Sequence, residues 1–584
     1  MSNLLYNYYT NIEILTQIND TYNLSEDFLR IPLWTSYINI INILLLSLFI
    51  LILGLALPQK PKYIKFLHFI AALYVIIILF ISSLESIGYY HFDFNNFNEP
   101  KFNTYSSTVL NTYDTINFNW YPNLTPYSNL FFIIASIAVI CLLLGVSDKF
   151  YSVENNKMEF LLLVIFIYIG AVFLLNSIDF ISILILLECI AFSSYILVGF
   201  ERQNKFSSSS GIKYLILGSI PGGLFVLGIT LLYKNYGSFF LCNLENLLII
   251  ADNNNFINDC LQTINQSSND VIFYDKILNN DSNFTESTND LSIIIDSLYY
   301  KSIFLSTYVA IILIFINLLF KLTAAPVHMW APNIYGGSPL STATFLSIFS
   351  KLTIISFSIY AFINIFYLFD DIISTLLIFC GMLSIFCGIM GAFSEKLIKR
   401  FFVYSSMGHV GFMLLGIAAS NIGYRGALDY LIIYVASSYI MWFILMYLTK
   451  KTTHLTNLKA LSVNHPILSF IFSITLFSLS GLPPLAGFFV KFEIFYSLLN
   501  TGNYYLVLLL FLLTVFSFFY YLRIIKILYF ENSTLFIKNK NEDLLKLRVI
   551  AILFHLILFF VIFVPEPIIY IIENVVIWLL QFKN

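Results

Sequence analysis

The chain is poor in charge. Only 11% of its 584 residues are Asp, Glu, Lys or Arg, against about 25% in soluble globular proteins. It is 59% hydrophobic, and its mean hydropathy is +0.83. Apolar runs close to the spanning length of about 20 residues recur along it, which excludes a soluble fold and requires a polytopic helical membrane protein. Cysteine is scarce as well. Six are scattered without a Cys-x-x-Cys pair, so no zinc, iron–sulfur or redox motif is present. Cys242 and Cys260 share one polar stretch, as a disulfide or as two free thiols. The net charge of -3 argues against a nucleic-acid partner. No Lys or Arg precedes Arg30, which excludes a signal or transit peptide. The abundance of Phe (60) and Tyr (39) matches the coding bias of an AT-rich genome and fits an organelle-encoded gene.

Spans are expected at 38–57, 63–84, 129–147, 159–176, 180–200, 210–234, 303–331, 339–364, 371–393, 401–419, 427–449, 467–498, 503–530 and 546–564, with a further apolar piece at 568–582. Basic residues follow alternate spans. Lys60, Lys62 and Lys65 come after the first, Lys149 and Lys157 after the third, and Arg202 and Lys205 after the fifth. Lys396, Lys399 and Arg400 follow the ninth, Lys450, Lys451 and Lys459 the eleventh, and Arg523, Lys526, Lys538 and Lys540 the thirteenth. All then fall on one side, and the positive-inside rule puts that side in the matrix or cytoplasm and the N-terminus outside. Two polar stretches, 85–128 and 236–300, rich in Asn, Asp, Ser and Thr, read as outer-side loops or insertions.

Charges inside the spans carry the chemistry. They are Glu188, Lys213, Lys321, Lys351 and Lys491. Each central charge costs roughly 2.5–3.5 kcal/mol on insertion scales, so keeping several points to a path for protons or cations. Glu188 is either a neutral acid bonded to a neighbouring helix or the ion partner of Lys213. Lys213, near the start of its helix, is either that partner or snorkels to the interface. Lys321 precedes Pro326 in FKLTAAPVHMWAP. Proline removes a backbone donor and frees a carbonyl, and in lipid such a break survives only where protein or water satisfies it. A broken helix is therefore expected, with the lysine at freed carbonyls and a half-helix end; the alternative is a true helix end at Pro326. His328, just past the break, is a packed core residue or a relay. Lys351 lies too deep to snorkel. Lys491 follows Gly481, Pro483, Pro484 and Gly487, which predict a second opened helix. His409, one turn after Tyr404, Ser405 and Ser406, bridges the two lysine regions through water or belongs to a packed polar cluster. Burial disfavours a charged amine, and a carboxylate about 6 Å away at an effective dielectric of about 20 restores roughly 3 kcal/mol. Moving that counter-charge would load or unload a proton. Four lysines and no electron carrier imply a pump driven from outside the chain.

FKLTAAPVHMWAPNIYGGSPLSTATFLS closely resembles a signature of the subunit 2 family of NADH dehydrogenase, the antiporter-like membrane subunits of respiratory complex I. LLECIAFSSYILVGF, GIKYLILGSIPGGLFVLGITLLY, KRFFVYSSMGHVGFMLLG and SGLPPLAGFFVKF resemble it too, in family order, over roughly residues 130–530. The FLS ending and the lysine in the last broken helix look like subunit 2 rather than subunit 4, and no long lateral C-terminal helix follows, unlike subunit 5. The resemblance implies an all-α fold of about fourteen transmembrane helices with two inverted five-helix repeats, each containing a broken helix. It divides the chain into N-terminal helices and outer loop (1–128), the first repeat (129–235 and 301–364) around an insertion (236–300), the second repeat (365–530), and C-terminal helices (531–584). It implies that Glu188, Lys213, Lys321, Lys351 and Lys491 are proton-channel residues, with His328 and His409 on the connecting axis. Asn333 and Gly336 stand where relatives commonly carry acids. It further implies that NADH, FMN, iron–sulfur clusters and ubiquinone are bound by other subunits, that neighbouring antiporter-like subunits and lipids such as cardiolipin are the partners, and that the site of action is the mitochondrial inner membrane. A cation/proton antiporter subunit, a scaffold whose buried charges fix helix register, and the plastid counterpart fit the same residues.

Overall fold

The computed structural model describes residues 126–145, 157–177, 179–237, 287–364, 366, 369–448, 454–459, 461–483, 485–531, 572–573 and 575–577. The spans expected at 38–57, 63–84 and 546–564, most of the 85–128 and 236–300 stretches and of the piece at 568–582, and Cys242 and Cys260 lie outside the described residues.

The described chain is helical, with no strand among the described residues beyond one isolated bridge, Leu397 with His454. The helices are α1 (Pro126–Gly145), α2 (Lys157–Leu175), α3 (Phe180–Val198), α4 (Lys205–Tyr236), α5 (Ser287–Leu322), α6 (Ala331–Gly337), α7 (Leu340–Asn364), α8 (Asp370–Ser394), α9 (Ile398–Ala418), α10 (Ser420–Leu448), α11 (Leu461–Asn464), α12 (Pro466–Ser480), α13 (Ala486–Asn500) and α14 (Tyr504–Phe530). Eight of the described helices are long and apolar enough to cross a membrane. α7, α9 and α10 form the centre, with 89%, 89% and 94% of their apolar windows buried, whereas α14 is 22% buried and turns Phe511, Phe516 and Phe519 outward. An apolar outer face of this kind suits lipid as well as protein neighbours.

Two helices break, and they end in the same way. α5 stops at Leu322, four residues short of Pro326, so the run expected to continue through 303–331 is interrupted before the proline. Thr323 takes the left-handed conformation (φ 61°). Its amide bonds to the Phe320 carbonyl and the Ala324 amide to the Leu319 carbonyl. The stretch expected at 467–498 is likewise two half-helices. Gly481 (φ 85°) bonds back to Ser478, and Leu482 to Phe477. Both are Schellman endings, which satisfy carbonyls a helix end leaves free. Glycine adopts this conformation at no steric cost, while a β-branched Thr at the first break costs roughly 1–2 kcal/mol. At the second break α13 comes so close that a side chain on Gly487 would collide with the Ser478 carbonyl oxygen.

The loops gather at one end as the charge pattern required. The Leu455 amide bonds to the Lys396 carbonyl at 2.9 Å, Lys459 pairs with Glu531 at 2.9 Å, and Arg523 donates to the Phe393 carbonyl at 2.9 Å. Lys399 donates to the Ser338 carbonyl at 2.5 Å, and Gly337 packs on Phe206 and Ser210 at the start of α4. The loops after the expected fifth, seventh, ninth, eleventh and thirteenth spans therefore share one face.

Gly487→Ala is expected to destabilise the fold by roughly 1–3 kcal/mol through overpacking, whereas Gly408→Ala, whose added carbon meets nothing within 4 Å, is expected to be near neutral. Thermal unfolding of the purified membrane assembly, variant against variant, measures the difference.

Candidate functional site

Three lysines are enclosed in the bundle. Lys351, Lys491 and Lys321 are exposed by only 1%, 5% and 7%. Lys491, in the first half of α13, reaches back across the second break and donates to the Ser480 carbonyl at 2.7 Å and the Leu479 carbonyl at 3.2 Å. Those carbonyls end α12 and carry the negative end of its dipole. The Lys491 nitrogen also lies 5.3 Å from the centre of the Phe412 ring. Lys321 occupies the last turn of α5, so it too sits at the C-terminal end of the half-helix before a break. Its nitrogen lies 5.7 Å from the Tyr195 ring centre and makes no hydrogen bond among the described residues.

Glu188 and Lys213 are not paired. Lys213 is exposed on the outside of α4, and no ion pair among the described residues joins it to Glu188. The Glu188 Oε1 instead occupies space left by Gly222, 2.5 Å from where a side chain there would begin. Nine residues separate Gly222 from Lys213, which is roughly 13 Å along a helix. The Glu188 Oε1 is enclosed beside Gly222 and makes no hydrogen bond among the described residues. The reason the two do not pair is one of level: Lys213 lies in the first third of α4, while Glu188 faces its middle.

Between Lys321 and α7 lies a small cavity, about 20 Å³ of space for water centres, bordered by Lys321, Ser194, Tyr214, Ser350 and Thr353 among apolar neighbours. That volume suits one water. Lys351 follows Ser350 and donates to the Tyr434 hydroxyl at 3.2 Å, which donates onward to the Ser347 carbonyl at 3.3 Å. The His409 ring centre is 5.5 Å from that of Tyr434. Its Nδ1 contacts the Tyr430 hydroxyl at 2.8 Å and its Nε2 the Tyr521 hydroxyl at 2.9 Å, and Tyr521 also meets Ser405. A second cavity, about 10 Å³, is bordered by His409, Tyr430, Tyr434, Ser437, Ser478, Leu479 and Gly487. It leads from the histidine to the Leu479 segment that holds Lys491. His328 is buried within the first break, its Nδ1 without a hydrogen-bond partner. Next to it Trp330 stacks on Phe320 and Tyr214, at 4.6 and 4.9 Å, folding the loop back onto α5.

The sequence reading found the lysines and His409 but not the tyrosines between them. Tyr430 and Tyr434 are four apart in α10 and so lie on one face, which was an available signal hidden among 39 tyrosines. It also missed the buried Asp429 and its neighbours Arg425 and Glu493. Tyr434→Phe removes the one hydrogen bond that Lys351 makes among the described residues and is expected to cost about 1.5–3 kcal/mol, the range for bonds to charged groups. Thermal unfolding of the assembly would report it, and an unchanged midpoint would show the contact to be idle.

The family model described as NADH:quinone oxidoreductase/Mrp antiporter, TM, matches residues 177–268 and 281–517. NADH-ubiquinone oxidoreductase chain 2 of Marchantia polymorpha is 30% identical over 449 residues, covering 76% of this chain and 81% of that protein. NADH-quinone oxidoreductase subunit N of Rhodospirillum rubrum is 30% identical over 402 residues, covering 68% and 72%. A chain of respiratory complex I from Thermus thermophilus shares the fold with a TM-score of 0.63 at 20% identity, over 91% of this chain and 98% of that one. A chain of the Mrp complex from Dietzia shares it with a TM-score of 0.68 at 14% identity, over 93% and 97%. This chain is a polytopic, all-helical member of the NADH:quinone oxidoreductase/Mrp antiporter membrane family.

Proposed function

We infer that this chain is the proton-translocating subunit 2 (N) of the membrane arm of an NADH:ubiquinone oxidoreductase. Its relatives by sequence are subunits of that enzyme, and its neighbours by fold come from multi-subunit membrane complexes. What supports the mechanism is a set of enclosed polar groups in an apolar bundle, Lys321 at its cavity, Lys351 on Tyr434, His409 beside Tyr434, and Lys491 at the α12 carbonyls; we read them, with Glu188 at one end, as one axis. Lysines and hydroxyls suit proton transfer because each can hold or pass a proton without a metal. Glu188 is the movable counter-charge of Lys321, and its approach or retreat changes how firmly that lysine holds its proton. Lys351 passes protons through Tyr434 towards His409, and water in the two cavities closes the gaps. Lys491, held at the α12 carbonyls, is the station at the far end. Lys213, on the outside, would meet lipid or a neighbouring subunit. His328 belongs to the first break and would lead into the axis.

On this reading NADH, FMN, iron–sulfur clusters and ubiquinone act in other subunits, and their redox energy reaches this chain through its neighbours. The location is the mitochondrial inner membrane, with the N-terminus on the intermembrane-space side and the face bearing Lys396, Arg400 and Lys459 in the matrix. Antiporter-like subunits and lipids such as cardiolipin flank it. The likeness of fold to an Mrp complex favours a second reading, a cation/proton antiporter subunit. Isolation of the chain together with flavin and iron–sulfur proteins would decide against that.

Lys321→Ala is expected to lower the protons pumped per electron in the assembled complex, measured in proteoliposomes; an undiminished ratio at normal assembly removes Lys321 from the path. In a double-mutant cycle on the same ratio, Glu188→Gln and Lys321→Ala should be strongly non-additive, whereas Glu188→Gln and Lys213→Ala should add, as separated sites do.

A further inference from the structure

Beside the lysine axis, α10, α13 and the far C-terminal part of the chain bring together Arg425, Asp429, Glu493 and Glu573. Arg425 Nη1 donates to Glu573 at 3.2 Å, and other Arg425 nitrogens lie 3.8 Å from Asp429 Oδ2 and from Glu493 Oε1. One cation therefore faces three acids. Asp429 and Glu493 thus lie at the same guanidinium group, each 3.8 Å from one of its nitrogens. Two ionised carboxylates crowded at one cation repel each other, and a proton retained by one of them relieves that repulsion. The cluster is not saturated: Asp429 Oδ2, Glu493 Oε2 and Arg425 Nε are enclosed and make no hydrogen bond among the described residues. Side-chain exposure rises in order from Asp429 (4%) through Glu493 (16%) and Arg425 (26%) to Glu573 (48%).

The position fits an outlet. Glu493 is two residues beyond Lys491 in α13, and the residue after Asp429 is Tyr430, which contacts His409. Arg425 and Asp429 lie early in α10, in the half of the bundle away from the Lys396 and Lys459 loops. A fully ionised cluster would place three negative charges against one positive charge, and an uncompensated buried charge is strongly destabilising.

We propose that Asp429 and Glu493 share one exchangeable proton, clamped by Arg425, and form a proton-binding site between the Lys491 end of the axis and the surface at Glu573. The proposal deepens the proton-translocation reading and rests on it. Asp429, the most buried acid, carries the proton and donates it to the Glu493 carboxylate. When the proton crosses to Glu493 and leaves past Glu573, Asp429 is left anionic beside Arg425 until the next proton arrives. Protons balance, no electron moves and no co-reactant is needed. The other charged group near by, Lys491, is on α13 but on a different side of it, since residues two apart do not face each other.

The test uses the assembled complex in proteoliposomes, with infrared difference spectroscopy and the ratio of protons pumped to electrons transferred. The wild type is expected to show the C=O stretch of a protonated carboxyl that both Asp429→Asn and Glu493→Gln abolish. Both variants should lose pumping per electron, and Asp429→Glu should restore it. Persistence of the band in both variants, or a wild-type ratio in both, overturns the proposal. If Asp429→Asn assembles poorly, Glu493→Gln, at the less buried member, gives the same two readouts. A wild-type ratio in these variants together with a loss in Lys321→Ala removes the acid site alone; a wild-type ratio in Lys321→Ala removes the parent reading.

Discussion

An ammonium group inside a hydrocarbon slab must recover from protein the contacts it loses in water. In this fold Lys491 does so where a helix stops. Lys321 belongs to the last turn of α5, and Lys491 reaches from α13 to the last carbonyls of α12. The sequence shows one lysine before its proline and the other after, and it is the Lys491 amine that bonds to the negative end of the half-helix preceding its break. The breaks are stable in such surroundings because the Schellman turns at Thr323 and Gly481 satisfy their own carbonyls, leaving others for the lysine.

Lys351 has no helix end to use, and it depends on a hydroxyl. From there to His409 and Tyr521 the axis is built of tyrosine. A phenol remains neutral in the slab, donates and accepts at one atom, and brings its own apolar ring for packing. The contacts are not saturated: Lys321 has no hydrogen bond among the described residues, and each cavity suits about one water. A fully satisfied network is rigid, whereas a path that passes protons needs groups able to change partners.

Much of this was legible in the chain itself. The positions of Lys321, Lys351 and Lys491, and the two breaks, follow from hydropathy and from local Pro and Gly punctuation. The basic face follows from counting Lys and Arg between spans, and the Leu455–Lys396, Lys459–Glu531 and Arg523–Phe393 contacts bring those loops together. Of the two alternatives for Glu188, the pairing with Lys213 is not seen, because nearness along the chain says nothing of the level at which two helices meet. Asp429 and Glu493 went unread because each is a single acid near a helix that is otherwise apolar.

The amino-acid order by itself determined that the chain is a polytopic membrane protein, where the described spans fall, and that Lys321, Lys351 and Lys491 are carried into the bundle. Those are properties of windows shorter than a helix. Which groups meet was decided only by the tertiary structure. Lys351 and Tyr434 are 83 residues apart, and His409 and Tyr521 are 112 apart. Their contact depends on how each helix is rotated and raised against its neighbours, and that setting comes from the packing of the whole bundle.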